Sequence, residues 1–204
     1  MTLAARLDFA LDSELPPPPP LTLAATSRQR LADLLAPFRG RFRVGIVWSG
    51  NPAFSSNNLR ATTLERFLSL AEVPGVQLIS LQKGPPEQEL DQPGLAPLVF
   101  DLGRKLNHFG ETAAACELLD LVIMTDSSVA HLAGSLGRPV WNLLRYAPYW
   151  VYGVSGAKTS WYPSMTLFRQ PKPGDWESVF TQVRSALTQA VRLHYSARKV
   201  AAVS

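Results

Sequence analysis

The sequence contains few of the residues that build disulfides and metal sites. Among its 204 residues are one cysteine, Cys116, and three histidines, at positions 108, 131 and 194. A lone cysteine excludes an internal disulfide and a cysteine-only zinc site, and the histidines are too scattered to show the spacing of metal ligands. We therefore expect no structural metal.

Long hydrophobic runs are also missing. No apolar segment reaches the roughly 18 residues of a membrane helix, because Leu118 to Met124 is interrupted by Asp120 and the other runs are shorter. The first residues, Met1 to Leu11, contain Arg6 and Asp8 and lack the apolar stretch and cleavage pattern of a secretion signal. We expect no membrane span and a cytoplasmic location.

Positive charge is in slight excess. Lysine and arginine number 20 against 16 acidic residues, a formal net charge of +4, which would fit an anionic partner. Several of the positive residues lie between Arg184 and Lys199 and are expected to form the solvated face of a helix. No lysine or arginine block alternates with aromatic residues as in proteins that follow a nucleic-acid backbone, so nucleic acid is not expected as a partner.

Three common active-site motifs are absent. No G-x-G-x-x-G follows the first predicted strand, where Gly45 and Gly50 have the wrong spacing, and no G-x-x-x-x-G-K-[ST] occurs. No G-x-S-x-G is present either, so Asp126, Ser127 and His131 do not form a predicted hydrolase triad. These absences disfavour a standard dinucleotide site, a nucleoside-triphosphatase site and an α/β-hydrolase site.

Five consecutive prolines, Pro16 to Pro20, divide the chain. Each proline ring fixes φ and lacks an N–H donor, so this run is predicted to be a stiff polyproline II spacer, although such a run can also bind an aromatic groove. We predict a proline-rich segment over residues 1–23, one α/β domain over residues 24–195 and a C-terminal tail over residues 196–204.

Strand-like and helix-like segments alternate within that domain. Apolar, β-branched runs that end in turn residues predict five strands, over Phe42–Trp48, Val76–Leu81, Leu98–Leu102, Leu121–Thr125 and Pro139–Leu144. Apolar residues at helical spacing predict helices over Ser27–Phe38, Thr63–Ala71, Glu111–Leu119, Asp126–Gly137 and Trp176–Leu193. Continuous apolar strands between helices indicate a parallel sheet covered on both faces. The sequence therefore predicts an α/β fold, a Rossmann-like doubly wound domain.

Polar residues follow the predicted strands where the strands end. In an open α/β sheet, ligands bind beyond the carboxyl ends of the strands. The residues at these ends are Ser49, Gly50, Asn51 and Arg60 after the first strand, Gln82, Lys83 and Gly84 after the second, Asp126 to His131 after the fourth, and Arg145 and Tyr146 after the fifth. This edge is polar, basic and glycine-containing, which predicts a phosphorylated ligand.

The segment from Thr125 to Gly134 carries the strongest signal. Ser127 is predicted to cap the helix, which leaves the N–H groups of Ser128 and Val129 free at the positive end of the helix dipole, where a diphosphate would bind. Ser128 and His131 are three residues apart, so the imidazole can point toward the same pocket. The alternative, that Ser127 is only a cap and His131 a packed core histidine, stays open.

Two cations are candidates for phosphate contacts. Lys83 follows the second predicted strand directly and is expected at the crevice, whereas Arg60 lies in the loop after the first strand. Both positions would also suit a solvated surface cation. The tryptophans at positions 48, 141, 150 and 161 are expected in the core rather than in a base-stacking platform.

Four segments together resemble a known family. They are Val44 to Pro52, Leu78 to Gly84, Asp126 to Gly134 with Gly137 to Trp141, and Trp161 to Met165 with Leu167 to Gln170. In this order, across about Arg41 to Leu187, they resemble the C-terminal part of bacterial tetratricopeptide-repeat glycosyltransferases. Those proteins are similar to glycosyltransferase family 9, which is heptosyltransferase-like, and more distantly to O-linked N-acetylglucosamine transferases.

The resemblance implies the C-terminal, donor-binding half of a GT-B fold, in which two Rossmann-like domains face each other across a cleft. By position, backbone N–H groups of the Asp126 to His131 segment would hold a nucleotide diphosphate, while Arg60 and Lys83 would neutralise the departing phosphate. Such enzymes need no metal, because fixed cations and a helix N-terminus stabilise the leaving charge. The nucleotide-sugar-binding residues are then Arg60, Gln82, Lys83, Asp126, Ser127, Ser128, Val129 and His131.

The first functional hypothesis is therefore a glycosyltransferase-like protein whose partner is a nucleotide-diphosphate sugar and which uses no other cofactor. The N-terminal half that usually carries the catalytic base would have to come from another chain, so activity of this chain alone is not expected and no catalytic residue is assigned. The second hypothesis is a non-catalytic module that binds a nucleotide or a partner. The third is a nucleotide-sugar epimerase of similar fold.

Overall fold

The computed structural model describes residues 21–201 and contains a six-stranded sheet flanked by helices. The strands are β1 (Phe42–Val47), β2 (Val76–Ser80), β3 (Val99–Asp101), β4 (Leu121–Thr125), β5 (Val140–Leu144) and β6 (Met165–Arg169). The α-helices are α1 (Ala25–Leu34), α2 (Asn57–Arg60), α3 (Leu64–Ala71), α4 (Phe109–Leu118), α5 (Ser128–Ser135) and α6 (Trp176–Ala201).

The sheet has the order β3-β2-β1-β4-β5-β6, and every neighbouring pair is parallel. The chain moves outward from β1 to β3, returns to the other side of β1 and moves outward again from β4 to β6. The loops that leave β1 and β4 therefore diverge, and this reversal opens a crevice at the carboxyl edge. The predicted α/β fold with a doubly wound parallel sheet is confirmed.

Two hydrophobic clusters cover the two faces of the sheet. On one face, α3 and α6 pack through side chains such as Phe67 and Val183. On the other face, α1, α4 and α5 pack through Leu31, Ala115 and Ala133. These five side chains are completely buried, and each large one contributes roughly 1.5–3 kcal/mol on leaving water. Burial of both faces explains why the inner strands are continuous apolar runs.

Two carboxylates fasten neighbouring segments to this framework. Glu89 accepts hydrogen bonds from the indole N–H of buried Trp48 and from the backbone N–H of Leu64, both at 2.8 Å. Because the side chain at the N-cap position of α3 makes no capping bond, Glu89 caps this helix from the segment that follows β2. On the other face, Glu111 accepts from Arg30 at 2.6 Å and joins α4 to α1.

The sequence does not predict two of the elements. Strand β6 lies at the edge of the sheet, where partly exposed residues alternate with buried Met165 and Leu167. Its short pattern stands between Pro163 and Pro171 and lacks the continuous apolar run of an inner strand. Helix α2 is a single turn within a polar loop, so it has no apolar periodicity to detect.

Two helices end several residues away from their predicted ends. Helix α1 stops at Leu34, and a 3-10 turn over Ala36–Phe38 follows, because Pro37 has no N–H to continue the helical pattern. Helix α6 continues past Leu193 to Ala201, since no glycine or proline interrupts these residues. It thereby enters the predicted C-terminal tail.

The predicted polyproline run, Pro16 to Pro20, lies outside the described residues, as do residues 202–204. The boundaries of the proline-rich segment and of the tail stay predictions. Within residues 21–201, no helix combines the length and the apolar character needed to cross a membrane.

Candidate functional site

A cavity of about 490 Å³ opens at the carboxyl edge of the sheet, beside the ends of β1, β2 and β4. This is the place where the strand order reverses and where α/β sheets bind their ligands. Six of the eight residues predicted from the sequence line it, namely Arg60, Gln82, Lys83, Ser127, Ser128 and Val129. The cavity therefore has a helix N-terminus on one side and basic loops on the other.

Helix α5 begins at the cavity wall. Ser127 occupies the N-cap position with extended backbone angles, φ −154° and ψ 174°, but its side chain makes no capping hydrogen bond. The prediction that its hydroxyl caps the helix is therefore wrong, because the Oγ atom is buried without a hydrogen-bond partner. The N–H groups of Ser128 and Val129, in the first turn, have no partner within the helix. This end of α5 places N–H donors beside the cavity, and the Ser127 hydroxyl is buried behind them without a partner.

Gln82 is a buried brace at the floor of the cavity. Its Oε1 atom accepts from the backbone N–H groups of Trp48 at 3.1 Å and Ser49 at 3.0 Å. Its Nε2 atom donates to the carbonyls of Ser49 at 3.0 Å and Lys83 at 2.9 Å. All of the ordinary hydrogen-bonding capacity of the amide is thus used within the protein, and Gln82 holds the ends of β1 and β2 together.

The two predicted cations differ in how they are held. The Lys83 ammonium donates to the carbonyls of Gly103 at 3.0 Å and Leu106 at 3.1 Å. Two of its three N–H donors are therefore engaged in fastening a loop. The side chain ties the end of β2 to the turn after β3, and one donor remains for a ligand.

Arg60 reaches the cavity from the end of α2. Its Nε donates to Asn57 Oδ1 at 3.4 Å, and its guanidinium carbon lies 4.9 Å from the centroid of the Phe54 ring. A Cβ atom at Gly50 would stand 2.8 Å from Arg60 Nη2, so a side chain at position 50 would displace the guanidinium. Arg60 and Lys83 are the two cationic side chains in the lining of the cavity.

Asp126 and His131 do not line the cavity. Asp126 Oδ1 accepts from the Tyr152 hydroxyl at 3.1 Å, and His131 lies 3.3 Å from the same hydroxyl through Nε2 and 3.1 Å from the Tyr162 hydroxyl through Nδ1. The expectation that the imidazole shares a pocket with Ser128 is not met, because the hydroxyls of Tyr152 and Tyr162 hold the ring outside the cavity. The pair forms a separate polar cluster beside α5.

Tyr152 is the centre of this second cluster and was not a predicted site residue. It is 2% exposed, and burial together with the Asp126 carboxylate raises the pKa of its phenol far above the ordinary value. The phenol therefore stays protonated and remains a hydrogen-bond donor. No spacing pattern could reveal Tyr152 or Tyr162, because both reach α5 from the long loop between β5 and β6.

Groups that could carry out acid–base or metal chemistry are missing from the lining. Among the described residues, no aspartate, glutamate, histidine or cysteine side chain lines the cavity. The same part of the chain contains no group of three or more such residues arranged to hold a metal. The N–H donors and cations of the lining suit an anionic ligand.

The tryptophans divide between core and surface. Trp48 is completely buried, as expected. Trp150 and Trp161 are 56% and 41% exposed, which corrects the expectation that they belong to the core. Their ring centroids are 6.3 Å apart in an edge-to-face arrangement on the loop before β6.

No family model matches the chain. A curated relative, Protein FlbA of Caulobacter vibrioides, is 27% identical over 152 residues, which are 71% of this chain and 25% of that protein. This chain therefore spans about a quarter of the length of that relative.

Several solved structures share the fold. A glycosyl transferase family 9 structure from Veillonella parvula matches with a TM-score of 0.55 at 18% identity, over 74% of this chain and 42% of that one. The ADP-heptose LPS heptosyltransferase II of E. coli gives 0.56 at 14% identity, over 86% and 56%. E. coli heptosyltransferase WaaC with ADP gives 0.52 at 15% identity, over 89% and 53%. This chain has a glycosyltransferase-like α/β fold and spans about half the length of these structures.

Proposed function

We propose that this chain is the nucleotide-diphosphate-sugar-binding half of a glycosyltransferase and that the cavity beside β1, β2 and β4 takes the diphosphate. The observation that supports this most strongly is the start of α5 at the cavity wall. Ser127 carries a buried hydroxyl without a partner, and the N–H groups of Ser128 and Val129 are not capped by it. Oriented N–H donors at a helix N-terminus are a general solution for binding phosphate.

The charges around the cavity fit an anionic leaving group. The positive end of α5 and the guanidinium of Arg60 face the same cavity. Fixed positive charge in a partly dry site stabilises the negative charge that develops as a nucleoside diphosphate departs. On the basis of these charges, we propose that the chain acts without a metal.

We further propose that sugar transfer uses a group from outside this cavity. The lining contains no carboxylate or imidazole among the described residues, and these are the usual groups that accept a proton from an acceptor hydroxyl. We propose that a second domain or chain supplies this group. Transfer then requires both parts, whereas binding of the nucleotide requires only this one.

A non-catalytic nucleotide-binding module is the second candidate. It is favoured by Lys83, because two of the three N–H donors of its ammonium bind the carbonyls of Gly103 and Leu106 and only one remains for phosphate. The two candidates predict the same binding and differ in turnover. An assay of sugar-nucleotide hydrolysis and transfer, with a separately expressed N-terminal GT-B domain added, separates them.

The first test is thermal unfolding of the full chain with UDP, GDP, ADP and CMP and their sugars, with and without magnesium. A ligand at about a hundred times its Kd stabilises by about 2.7 kcal/mol, which for a domain of this size raises Tm by about 5–11 °C. We expect a selective rise that does not need magnesium. No rise with any ligand would overturn the proposal.

A pair of variants at Ser128 tests the backbone contact itself. Ser128 is the first residue of α5, where proline is tolerated, and the extended angles of Ser127 suit a residue before proline. Ser128→Pro therefore removes one N–H donor while the helix is kept. We expect it to weaken nucleotide binding about tenfold or more, whereas Ser128→Ala, which keeps the N–H, should bind within about threefold of the wild type. Equal binding by both variants would place the anion elsewhere.

A further inference from the structure

A chain of four polar side chains lies beside the start of α5. Tyr162 contacts His131 Nδ1 at 3.1 Å, His131 Nε2 contacts the Tyr152 hydroxyl at 3.3 Å, and that hydroxyl contacts Asp126 Oδ1 at 3.1 Å. The rings of His131 and Tyr152 are nearly parallel, with an interplanar angle of 17°. The chain links the loop before β6 to the residue that follows β4.

The hydrogen bonds that link these four side chains all run in one direction, from Tyr162 to Asp126. An ionised carboxylate can only accept, so the Tyr152 hydroxyl donates its single proton to Asp126. The Tyr152 oxygen then accepts from His131 Nε2–H. In the neutral imidazole, Nδ1 is left as an acceptor for the Tyr162 hydroxyl. The chain therefore ends on the Asp126 carboxylate and fixes the Nε2–H tautomer of His131.

The position of Asp126 explains why such an anchor is needed. Asp126 stands immediately before Ser127, which lines the cavity, yet Asp126 itself does not line it. Carboxylates are strongly attracted to the free N–H groups at a helix start. A released Asp126 side chain would compete with an anionic ligand for the N–H groups of Ser128 and Val129. Its negative charge would also repel phosphate.

The backbone around Tyr152 is held in place by Arg169. The guanidinium of Arg169, on β6, donates to the carbonyl of Tyr152, to Gly153 at 3.1 Å, to Ser155 at 3.2 Å and to Gly156 at 2.8 Å. Four carbonyls around one guanidinium fix the course of the loop from residue 152 to residue 156. These hydrogen bonds fix the position from which the Tyr152 phenol reaches Asp126.

We propose that Tyr152, fixed by Arg169, is a positioning residue that holds the Asp126 carboxylate away from the anion-binding end of α5. The proposal rests on the function proposed for the cavity and adds a determinant of anion affinity that does not touch the ligand. Asp126 is then a charge restrained by the fold and not a ligand contact.

Calorimetric titration of the full chain with inorganic pyrophosphate tests this, because pyrophosphate probes the anion site without a base or sugar. Tyr152→Phe removes only the hydroxyl, and we expect it to weaken pyrophosphate binding about tenfold. The double variant Tyr152→Phe with Asp126→Asn should bind within about twofold of the wild type, since the released charge is gone. Tyr149→Phe, at an exposed tyrosine of the same loop, should leave binding unchanged. A lost packing contact alone would not be rescued by removing a charge.

The pyrophosphate affinity of the single variant Asp126→Asn is a second test, and it does not depend on how the Tyr152 variants fold. The proposal expects pyrophosphate binding to be unchanged or tighter, whereas a direct role of Asp126 in binding predicts weaker binding and would overturn it. Unaltered affinity in Tyr152→Phe, or no rescue in the double variant, would overturn it as well. If the wild type itself does not bind pyrophosphate, the proposed function of the cavity fails together with this role. That outcome differs from failure of the variants alone.

A ligand-free measurement checks the direction of the chain. Long-range proton–nitrogen NMR spectra of neutral His131 should show the proton on Nε2 in the wild type. In Tyr152→Phe the preference for this tautomer should fall. A wild-type imidazole protonated on Nδ1 would reverse the direction of these hydrogen bonds. It would overturn the proposal that Tyr152 restrains Asp126.

Discussion

The side-chain amide of Gln82 binds both the backbone N–H and the backbone carbonyl of Ser49. Oε1 accepts from the Ser49 N–H at 3.0 Å, and Nε2 donates to the Ser49 carbonyl at 3.0 Å. The residue at the end of β2 thereby acts like a further strand partner for the chain that leaves β1. The loop over the cavity starts from a fixed point because of this contact.

Replacement of Gln82 by alanine should destabilise the protein strongly. It leaves the N–H groups of Trp48 and Ser49 and two carbonyls without partners in a buried place, where an unsatisfied group costs about 1–3 kcal/mol. We expect a loss of about 3 kcal/mol in the free energy of unfolding, measured by urea denaturation. Gln92→Ala, at an exposed glutamine, should change it by less than about 0.5 kcal/mol. Similar midpoints for the two variants would show that Gln82 is not a brace.

Gly103 is a point of close backbone approach and cannot carry a side chain. A Cβ at this position would lie 2.1 Å from the carbonyl oxygen of Gln82, whereas a Cβ at Gly45 would meet the movable Leu119 side chain at 2.6 Å. We expect Gly103→Ala to lower the free energy of unfolding by more than about 3 kcal/mol and Gly45→Ala by about 1–3 kcal/mol. Urea denaturation of the two variants in parallel checks the order. A milder effect at Gly103 would contradict the packing of the turn against Gln82.

Glu111 should make stability depend on pH. The backbone N–H of Asn107, followed by Arg30, holds the pKa of this carboxyl below its ordinary value near 4.5. The ionised form therefore stabilises the folded state at pH values above the unfolded pKa. This contribution is lost as the pH falls through the lower, folded-state pKa. The protein should become less stable on acidification below about pH 5.

Glu111→Gln isolates this contribution. We expect it to lower the free energy of unfolding at pH 7 by about 1.5–3 kcal/mol, the value of a charge-assisted hydrogen bond. The difference from the wild type should shrink on acidification, because the wild-type carboxyl also loses its charge. Glu65→Gln, at an exposed carboxylate in the first turn of α3, serves as the control and should show a pH-dependent difference of at most about 1 kcal/mol, from the helix dipole alone. A constant difference between wild type and Glu111→Gln at all pH values would contradict the assignment.

The fold was predictable because its inner strands are buried on both faces. Strand β4 runs over Leu121–Thr125 as predicted, since a parallel strand between two helical layers has only apolar positions. Edge strand β6 escapes this rule, because one side of it is covered by a loop and three of its five residues keep partial exposure. The single-turn helix Asn57–Arg60 is also invisible, as nothing in its composition differs from a loop.

The candidate site was predictable only as far as backbone topology decides it. The cavity lining includes Ser127, Ser128 and Val129. Because these residues follow an inner strand, the backbone alone places them at the carboxyl edge of the sheet. Asp126 and His131 belong to the same segment, but their orientation is decided by Tyr152 and Tyr162, which are 26 and 31 residues away from them along the chain. Local sequence contains no information on such contacts. A role of Asp126 and His131 in binding stays a prediction.

Cys116 offers a direct probe of how tightly α4 is packed. Burial raises the pKa of its thiol to about 12 from an ordinary value near 9, and the residue is completely buried. At pH 8 the thiolate population should then be about a thousandfold lower than in the unfolded chain. We expect iodoacetamide to label Cys116 at least a thousandfold more slowly in the native protein than in urea, as followed by mass spectrometry. The sequence has one cysteine, so each label reports this position, and a native rate within tenfold of the unfolded rate would mean that α4 does not shield it.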